Sequence, residues 1–297
     1  MDIKNLPLFP YQDQFLCFYS SYFDSYTTDP RWMLIPIDDH GFHRGDGVFE
    51  AIKWSQGRVW LLEEHLQRLF QSAQNIGLKC LFQKEDLKKI IFKMLAMLPQ
   101  EQQIKGIFRV YLTRGPGSFG VSPKDTLGTQ VYIVATKLKD LPEKWFTEGV
   151  TVGWSQVPAK IPFLARTKTL NYLTNVLMKK ECEERGLDFI VGLDEEKNLT
   201  ESYTENIFIQ KDHVLYLPPW EGILKGTTLS RFLELVTEHK KVTVMQKKIT
   251  QQQVLEADSL FVIGTTLDIL WVQKLEDTIF CRPKDYDNYL HLIRSDQ

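Results

Sequence analysis

The spacing of apolar positions changes several times along the chain, and each change marks an element. Residues 15–20 and 33–37 are short apolar runs that predict strands, with a polar, aromatic loop at 21–31 between them. Positions 48–54 alternate with a period of two, and Ser55-Gln56-Gly57-Arg58 turns the chain into a second strand at 59–61. The period lengthens to that of a helix over 63–75, where Leu66, Leu69 and Phe70 form the apolar stripe and Gly77 ends it. A second helix, 84–98, turns Ile90, Ile91, Met94 and Leu95 inward. Strands at 106–112 and 130–135 flank Arg114-Gly115-Pro116-Gly117-Ser118-Phe119-Gly120. That segment contains G-x-G-x-x-G, but a dinucleotide fingerprint has to open a helix. Here Pro123, Gly128 and another strand follow, so the segment reads as a glycine-rich loop between antiparallel strands.

Beyond a polar, proline-containing stretch at 137–148, which suits a linker, the pattern starts again. This divides the chain into an N-terminal domain, 1–140, and a C-terminal domain, 141–297. A helical run follows Lys168 and stops at Gly186, with Leu173, Val176 and Leu177 on one face. Short strands at 189–193, 199–202, 206–210 and 214–217, separated by polar turns, predict an antiparallel meander. Gly226-Thr227-Thr228 opens a helix that ends near His239; a strand at 242–246, a short helix from Thr250 and a strand at 259–263 complete the core. The mixture is α+β, with two antiparallel-rich sheets and no internal repeat.

Composition narrows the class. With 43% hydrophobic and 25% charged residues the chain is an ordinary globular sequence, and a net charge of -2 gives no reason to bind nucleic acid or an anionic membrane. Lys179-Lys180 and Lys240-Lys241 read as solvated helix ends. No apolar run approaches the roughly 20 residues needed to span a bilayer. The segment Met1-Asp2-Ile3-Lys4-Asn5-Leu6-Pro7 lacks the form of a secretory signal. Cys17, Cys80, Cys182 and Cys281 stand far apart, which argues against a disulfide framework or a metal site and for a reducing, cytoplasmic setting.

Candidate chemistry clusters around Lys168. It sits where an extended, proline-punctuated segment meets a helix start, and a desolvated lysine there is able to attack a carbonyl. Gly226-Thr227-Thr228 places free helix amides and a hydroxyl where a phosphate would be favoured, although an ordinary threonine cap reads the same way. Gly264-Thr265-Thr266 is a second such cup after an apolar strand, and Arg68 is a guanidinium a phosphate would want. On a strand at 199–202, Glu201 would share a face with Glu205, and either carboxylate could keep a pyridine nitrogen protonated.

A lysine, a carboxylate, phosphate donors and an arginine together suggest pyridoxal phosphate. Arg44-Gly45-Asp46-Gly47-Val48-Phe49-Glu50, followed by His65-Leu66-Gln67-Arg68-Leu69 and Ser72-Ala73, resembles the first signature of the class IV (fold type IV) aminotransferases. Lys168-Thr169-Leu170-Asn171 resembles their Schiff-base lysine motif, and Glu201 with Asn206-Ile207-Phe208 is similar to the strand carrying their pyridine-nitrogen glutamate. The resemblance runs from about residue 38 to 269. It implies two α/β domains with the cofactor in the cleft between them, a homodimer, and amino-group transfer between a small amino acid (D- or branched-chain) and a 2-keto acid. Two alternatives stand beside that activity. One is aminodeoxychorismate lyase, which eliminates pyruvate to give 4-aminobenzoate; the other is an inactive cofactor-binding homologue, against which Lys168 and Glu201 both argue.

The resemblance also implies roles. Lys168 would hold the cofactor and shuttle a proton, and Glu201 rather than Glu205 would pair the ring nitrogen. Arg68, the Thr227 and Thr228 amides and the Thr265 hydroxyl would bind phosphate. Tyr172 would lie against the cofactor, Thr266 would offer donors to cofactor and substrate carboxylate, and Phe49 and Arg114 would line the substrate side. Two departures stand out: Ser202 where many members have glycine, and Phe49 where some D-amino-acid members have tyrosine. The loop from Arg114 to Pro123 resembles those of plant-type D-amino-acid aminotransferase relatives, where lyase activity also occurs.

Overall fold

Each predicted sheet forms within its own structural unit. A computed structural model describes residues 5–240 and 242–297; the first four residues of the amino-terminal segment, Lys241 and the side chain of Lys240 lie outside it. One unit runs to Lys139 and takes back Thr167–Asn171, and the other comprises Asp140–Arg166 and Tyr172–Gln297. The boundary falls inside the predicted linker. Lys168, although beyond it in sequence, groups with the first unit.

The first unit contains β1 (Phe15–Ser20), β2 (Ser25–Thr27), α1 (His40–Arg44), β3 (Gly47–Ser55), β4 (Arg58–Val59), α2 (Leu62–Asn75), α3 (Lys84–Met97), β5 (Lys105–Thr113) and β6 (Gln130–Lys137). Its strands run antiparallel in the order β2-β1-β6-β5-β3-β4. Alternation puts Val48, Ile52 and Trp54 of β3 on one face with Phe108, Val110 and Leu112 of β5, and Leu66, Leu69, Ile91 and Met94 from α2 and α3 cover that face. Gly106 is required where the Trp54 ring crosses β5, since a Cβ there would lie 2.0 Å from the indole.

The second unit contains α4 (Glu143–Thr147), β7 (Val150–Trp154), α5 (Pro162–Ala165), α6 (Leu173–Glu184), β8 (Phe189–Val191), β9 (Asn206–Lys211), β10 (Val214–Leu217), α7 (Thr227–Lys240), β11 (Thr243–Gln246), α8 (Gln251–Leu255), β12 (Ser259–Gly264), β13 (Asp268–Leu275), β14 (Thr278–Ile279) and α9 (Tyr286–Asp296). The sheet order is β11-β10-β9-β12-β13-β7-β8, with β14 on β13. It is mixed: β10–β11, β13–β7 and β7–β8 are parallel pairs. Its central strands are apolar on both faces. Ile207, Ile209 and Val262 enter one core, while Phe208, Phe261 and Ile263 meet Phe232 of α7 and Tyr289 of α9 in another.

Several expectations change. Residues 33–37 form no strand, and Leu34, Ile35 and Ile37 are exposed. The outer edge of β1 is taken by β2, from the segment read as a loop, and Pro36 has no amide to donate. Residues 199–202 also form no strand; Leu199 makes one isolated bridge to Leu193. The meander therefore reduces to the β9–β10 hairpin, because β8 pairs in parallel with the distant β7. Leu173, Val176 and Leu177 do share a face of α6, but it is the exposed face; Asn175, Met178 and Cys182 point inward.

One polar residue stands on the core face of β3. Glu50, between Val48 and Ile52, is fully buried. Its Oε1 accepts from Arg68 Nε at 2.7 Å, and its Oε2 from Arg68 Nη2 at 2.7 Å and His65 Nδ1 at 2.8 Å. Burial alone would push the carboxyl up; the Arg68 charge and hydrogen bonds, helped by His65, outweigh it and hold Glu50 at about 2. Burial lowers His65, with Glu50 opposing, so a neutral imidazole donates through Nδ1. Both partners lie on α2, three residues apart, and the cluster fastens that helix to β3.

Two stability predictions follow from these contacts. Glu50→Gln should cost about 3–5 kcal/mol at pH 7, because it leaves Arg68 without its buried counter-charge. An unfolded carboxyl titrates near 4.5 and this one near 2, so its stabilisation is complete above 4.5 and lost as pH falls towards 2. Urea unfolding at pH 7 and pH 3 should show the mutational gap shrinking in acid; an equal gap at both would refute the ion pair. Gly106→Ala should cost about 1–3 kcal/mol by overpacking Trp54, and an unchanged urea midpoint would contradict that contact.

Candidate functional site

Lys168 owes its setting to strand pairing rather than to the helix after it. Phe49 N–H donates to Lys168 O at 3.0 Å, Leu170 N–H donates to Gly47 O at 2.9 Å, and Thr169 bridges Val48. The 167–171 segment thus lies along the start of β3, held by one isolated β-bridge and two flanking backbone hydrogen bonds. Ser72 Oγ accepts from Lys168 N–H, and Asn75 donates to the buried Thr167 hydroxyl, so α2 supports the segment from its other side. Asn171 Nδ2 donates to Gly45 O at 3.0 Å, where Gly45 takes a φ of 65° and a side chain would strike Asn171. The Lys168 ammonium stands 4.7 Å from the centre of the Phe49 ring. It is also among the charges that lower His65, which places it in electrostatic reach of the Glu50–His65–Arg68 cluster. Phe49 stacks in turn on Tyr111, its cross-strand neighbour on β5.

In the second unit the carboxylates part company. Glu201 and Glu205 stand at the ends of a turn closed by Ser202 N–H donating to Glu205 O, not on one strand face. Glu201 Oε1 lies 2.8 Å from Lys160 Nζ and its Oε2 accepts from Leu224 N–H at 2.9 Å, so it is oriented and charge-balanced. Glu205 is buried, and burial pushes its carboxyl up against the pull of the Thr204 hydroxyl and amide.

Leu224 also accepts from Asn206 Nδ2 through its carbonyl, and Asn206 Oδ1 would lie 1.9 Å from a Cβ on Gly226. One short segment, 224–226, thus ties Glu201 to the start of α7. There the Thr228 and Thr265 hydroxyls come within 3.3 Å of each other, joining the two cups found separately in the sequence. The first turn of a helix leaves its amides without partners inside the helix, and its dipole favours an anion. Two converging hydroxyls and a glycine that keeps the backbone bare make this a donor set suited to a phosphate.

Other candidates have different surroundings. Arg114 donates from Nε and Nη2 to Asp46 and from Nη1 and Nη2 to the Gly77 and Ile76 carbonyls, so its guanidinium is engaged in bracing the frame. Tyr172 directs its hydroxyl to Tyr203 O at 3.5 Å, beside the turn after Glu201. Thr266 is exposed and follows Thr265 in the β12–β13 turn. Sequence reasoning gave no role to Glu50, His65, Lys160 or Asn206. Glu50 had left a signal, a charged residue at an inward position of an alternating strand; the other three show their roles only through contacts distant in sequence. Among the described residues, no group of three or more His, Cys, Asp or Glu is placed to hold a metal ion, and no helix is long and apolar enough to cross a membrane.

The family model for amino-transferase class IV matches residues 47–275. A chloroplastic D-amino-acid transaminase of Arabidopsis thaliana is 31% identical over 262 residues, covering 86% of this chain and 69% of that protein. A branched-chain aminotransferase of Thermoproteus uzoniensis superposes with a TM-score of 0.85 at 22% identity, covering 94% of each chain. A 4-amino-4-deoxychorismate lyase of Pseudomonas aeruginosa does so with a TM-score of 0.80 at 22% identity, covering 89% of this chain and 95% of that one. These two likenesses show the fold. The extent of the family match, on a chain whose lysine, carboxylate and threonine cups are set as described, shows that the protein belongs to the class IV aminotransferases, a family dependent on pyridoxal phosphate.

Proposed function

We propose that the protein transfers the amino group of a small amino acid to a 2-keto acid, with Lys168 and Glu201 as its catalytic residues. The observation that supports this is Leu224, whose amide donates to the ion-paired Glu201 and which stands four residues before Thr228 of the Thr228–Thr265 hydroxyl pair. Pyridoxal phosphate, when bound, supplies an electrophilic aldehyde and an electron-accepting ring. Lys168 holds it through its ε-amino group and afterwards takes the proton from the amino acid's Cα. Glu201 keeps the ring nitrogen protonated, a task for an ionised carboxylate that Glu205 is poorly placed to perform.

Arg68, held by Glu50, together with Thr227, Thr228 and Thr265, binds the phosphate. Tyr172 and Thr266 complete the cofactor contacts, and Phe49 forms an apolar wall beneath Lys168. Arg114 acts on the substrate indirectly, by bracing Asp46. The working form is a homodimer. The exposed apolar face of α6, with Leu173 69% exposed and Val176 56% exposed, supports a second copy as its cover. Four free cysteines support a cytoplasmic setting.

Three measurements test these roles. Lys168→Ala should abolish covalent trapping of the cofactor by borohydride while the fold survives; trapping as in the wild type would remove Lys168 from the mechanism. Glu201→Gln should slow turnover by far more than Glu205→Gln, and the reverse order would reject Glu201. In a half-reaction without keto acid, an accepted amino acid should convert the aldehyde form of the cofactor stoichiometrically to the amine form, and pyruvate or 2-oxoglutarate should restore it. If no amino acid does so while aminodeoxychorismate yields pyruvate and 4-aminobenzoate, the protein is a lyase instead.

A further inference from the structure

Two features beside the threonine cups are locally unfavourable, and both are met at one helix end. Asp268 closes the β12–β13 turn, pairs with Gly264, and takes a φ of 61° while only 7% exposed. A buried carboxylate in the left-handed region needs partners that hold it there. Asp268 Oδ2 accepts from Arg294 Nε at 3.2 Å, and its Oδ1 accepts from Gln297 Nε2 at 2.7 Å. Asp296, the last residue of α9, puts a negative charge at the helix end where the dipole opposes it. A fork from Arg231 of α7 offsets that charge: Nη2 donates to Oδ1 at 2.7 Å and Nε to Oδ2 at 3.1 Å.

The final turn of α9 therefore reaches both walls of the donor set. Arg294 and Asp296, two positions apart on a helix, point to different sides. One side meets the turn that carries Thr265 and Thr266 between Gly264 and Asp268. The other meets α7 at Arg231, three residues after Thr228. The Thr228 and Thr265 hydroxyls stand 3.3 Å apart. Below this rim, Tyr289 of α9 packs edge-on against Phe232 of α7 and Phe261 of β12, so the core joins the same three elements. Apolar packing is non-directional and sets only an approximate spacing. The forked ion pair and the two donors on Asp268 add direction to it. Tyr286 Oη donates to Ile269 O at 3.2 Å and holds the strand just past the turn.

We propose that Arg231, Asp268, Arg294 and Asp296 are positioning residues: through the last turn of α9 they brace the Thr228 and Thr265 hydroxyls at the separation a phosphate group requires. They act through the threonines, so their effect falls on how tightly the phosphate end of the cofactor is held rather than on proton transfer at Cα. The inference rests on the aminotransferase reading, which puts the phosphate at these threonines.

The test titrates the full-length protein with pyridoxal phosphate and with pyridoxal, its phosphate-free counterpart. Asp296→Asn should raise the Kd for pyridoxal phosphate about three- to fivefold, the range of a partly exposed ion pair. The Kd for pyridoxal and the absorption maximum of the bound cofactor should not move. Thr265→Ala should likewise weaken pyridoxal phosphate alone, and by a smaller factor in the Asp296→Asn background, since a hydroxyl out of place has less to lose. Arg282→Ala is the control: it breaks the exposed Arg282–Asp287 pair at the other end of α9 and should change neither Kd. Equal weakening of both ligands by Asp296→Asn, or no weakening of either, overturns the brace. Strictly additive losses for Asp296→Asn and Thr265→Ala, or the same selective loss with Arg282→Ala, overturn it too. If Thr265→Ala by itself leaves the preference for pyridoxal phosphate over pyridoxal intact, the phosphate reading fails and the brace falls with it.

Discussion

A carboxylate cut off from water has to be neutralised where it stands. Glu50 occupies an inward position on the central part of β3 and has no exposed surface, so the partners it needs must come from whatever packs over it. Helix α2 supplies both, His65 and Arg68, from one face. The constraint works in two directions. It fixes the rotation and height of α2 over the sheet, and it fixes the Arg68 guanidinium in a forked geometry that a lysine could not reproduce. Because α2 also supports Thr167 and Lys168 through Asn75 and Ser72, the placement of the proposed reactive lysine inherits that alignment.

The same economy recurs in the second unit, where Glu201 is aimed by contacts that carry other duties. Leu224 gives its amide to Glu201 and its carbonyl to Asn206, and Asn206 fills the space a side chain on Gly226 would take. Orientation of the carboxylate and the opening of α7 are therefore one geometric fact. Lys160 supplies charge balance from the irregular segment before α5, which gives that proline-punctuated stretch a purpose beyond connection. The neighbouring Glu205 shows the contrast: burial raises its carboxyl, and the Thr204 hydroxyl and amide, with the Lys179 charge, offset that only in part.

What could be read from the sequence followed from periodicity and local chemistry. The alternation at 48–54 set which residues of β3 face the core. The start of α7 at Gly226-Thr227 was legible from its local chemistry. Hidden features depended on pairing across long stretches of chain. Nothing near 189–191 says that its partner is 150–154, running parallel, and nothing in 199–205 says that Ser202 begins a turn. Apolar spacing showed that Leu173, Val176 and Leu177 share a face, but periodicity is blind to what that face meets. Of the candidate site, the lysine, the glutamate and the threonines came from motif order, while their supports, Glu50, His65, Lys160 and Asn206, had to come from the fold.

The return of Thr167–Asn171 to the first unit has an evolutionary consequence. The chain passes from one unit to the other at Lys139–Asp140, back at Arg166–Thr167, and over again at Asn171–Tyr172. A single cut therefore cannot yield two self-sufficient pieces. Genetic fusion, duplication or exchange at the obvious boundary would carry the 167–171 segment away from the start of β3, against which it bridges. Units threaded in this way cannot be exchanged one at a time by a single crossover.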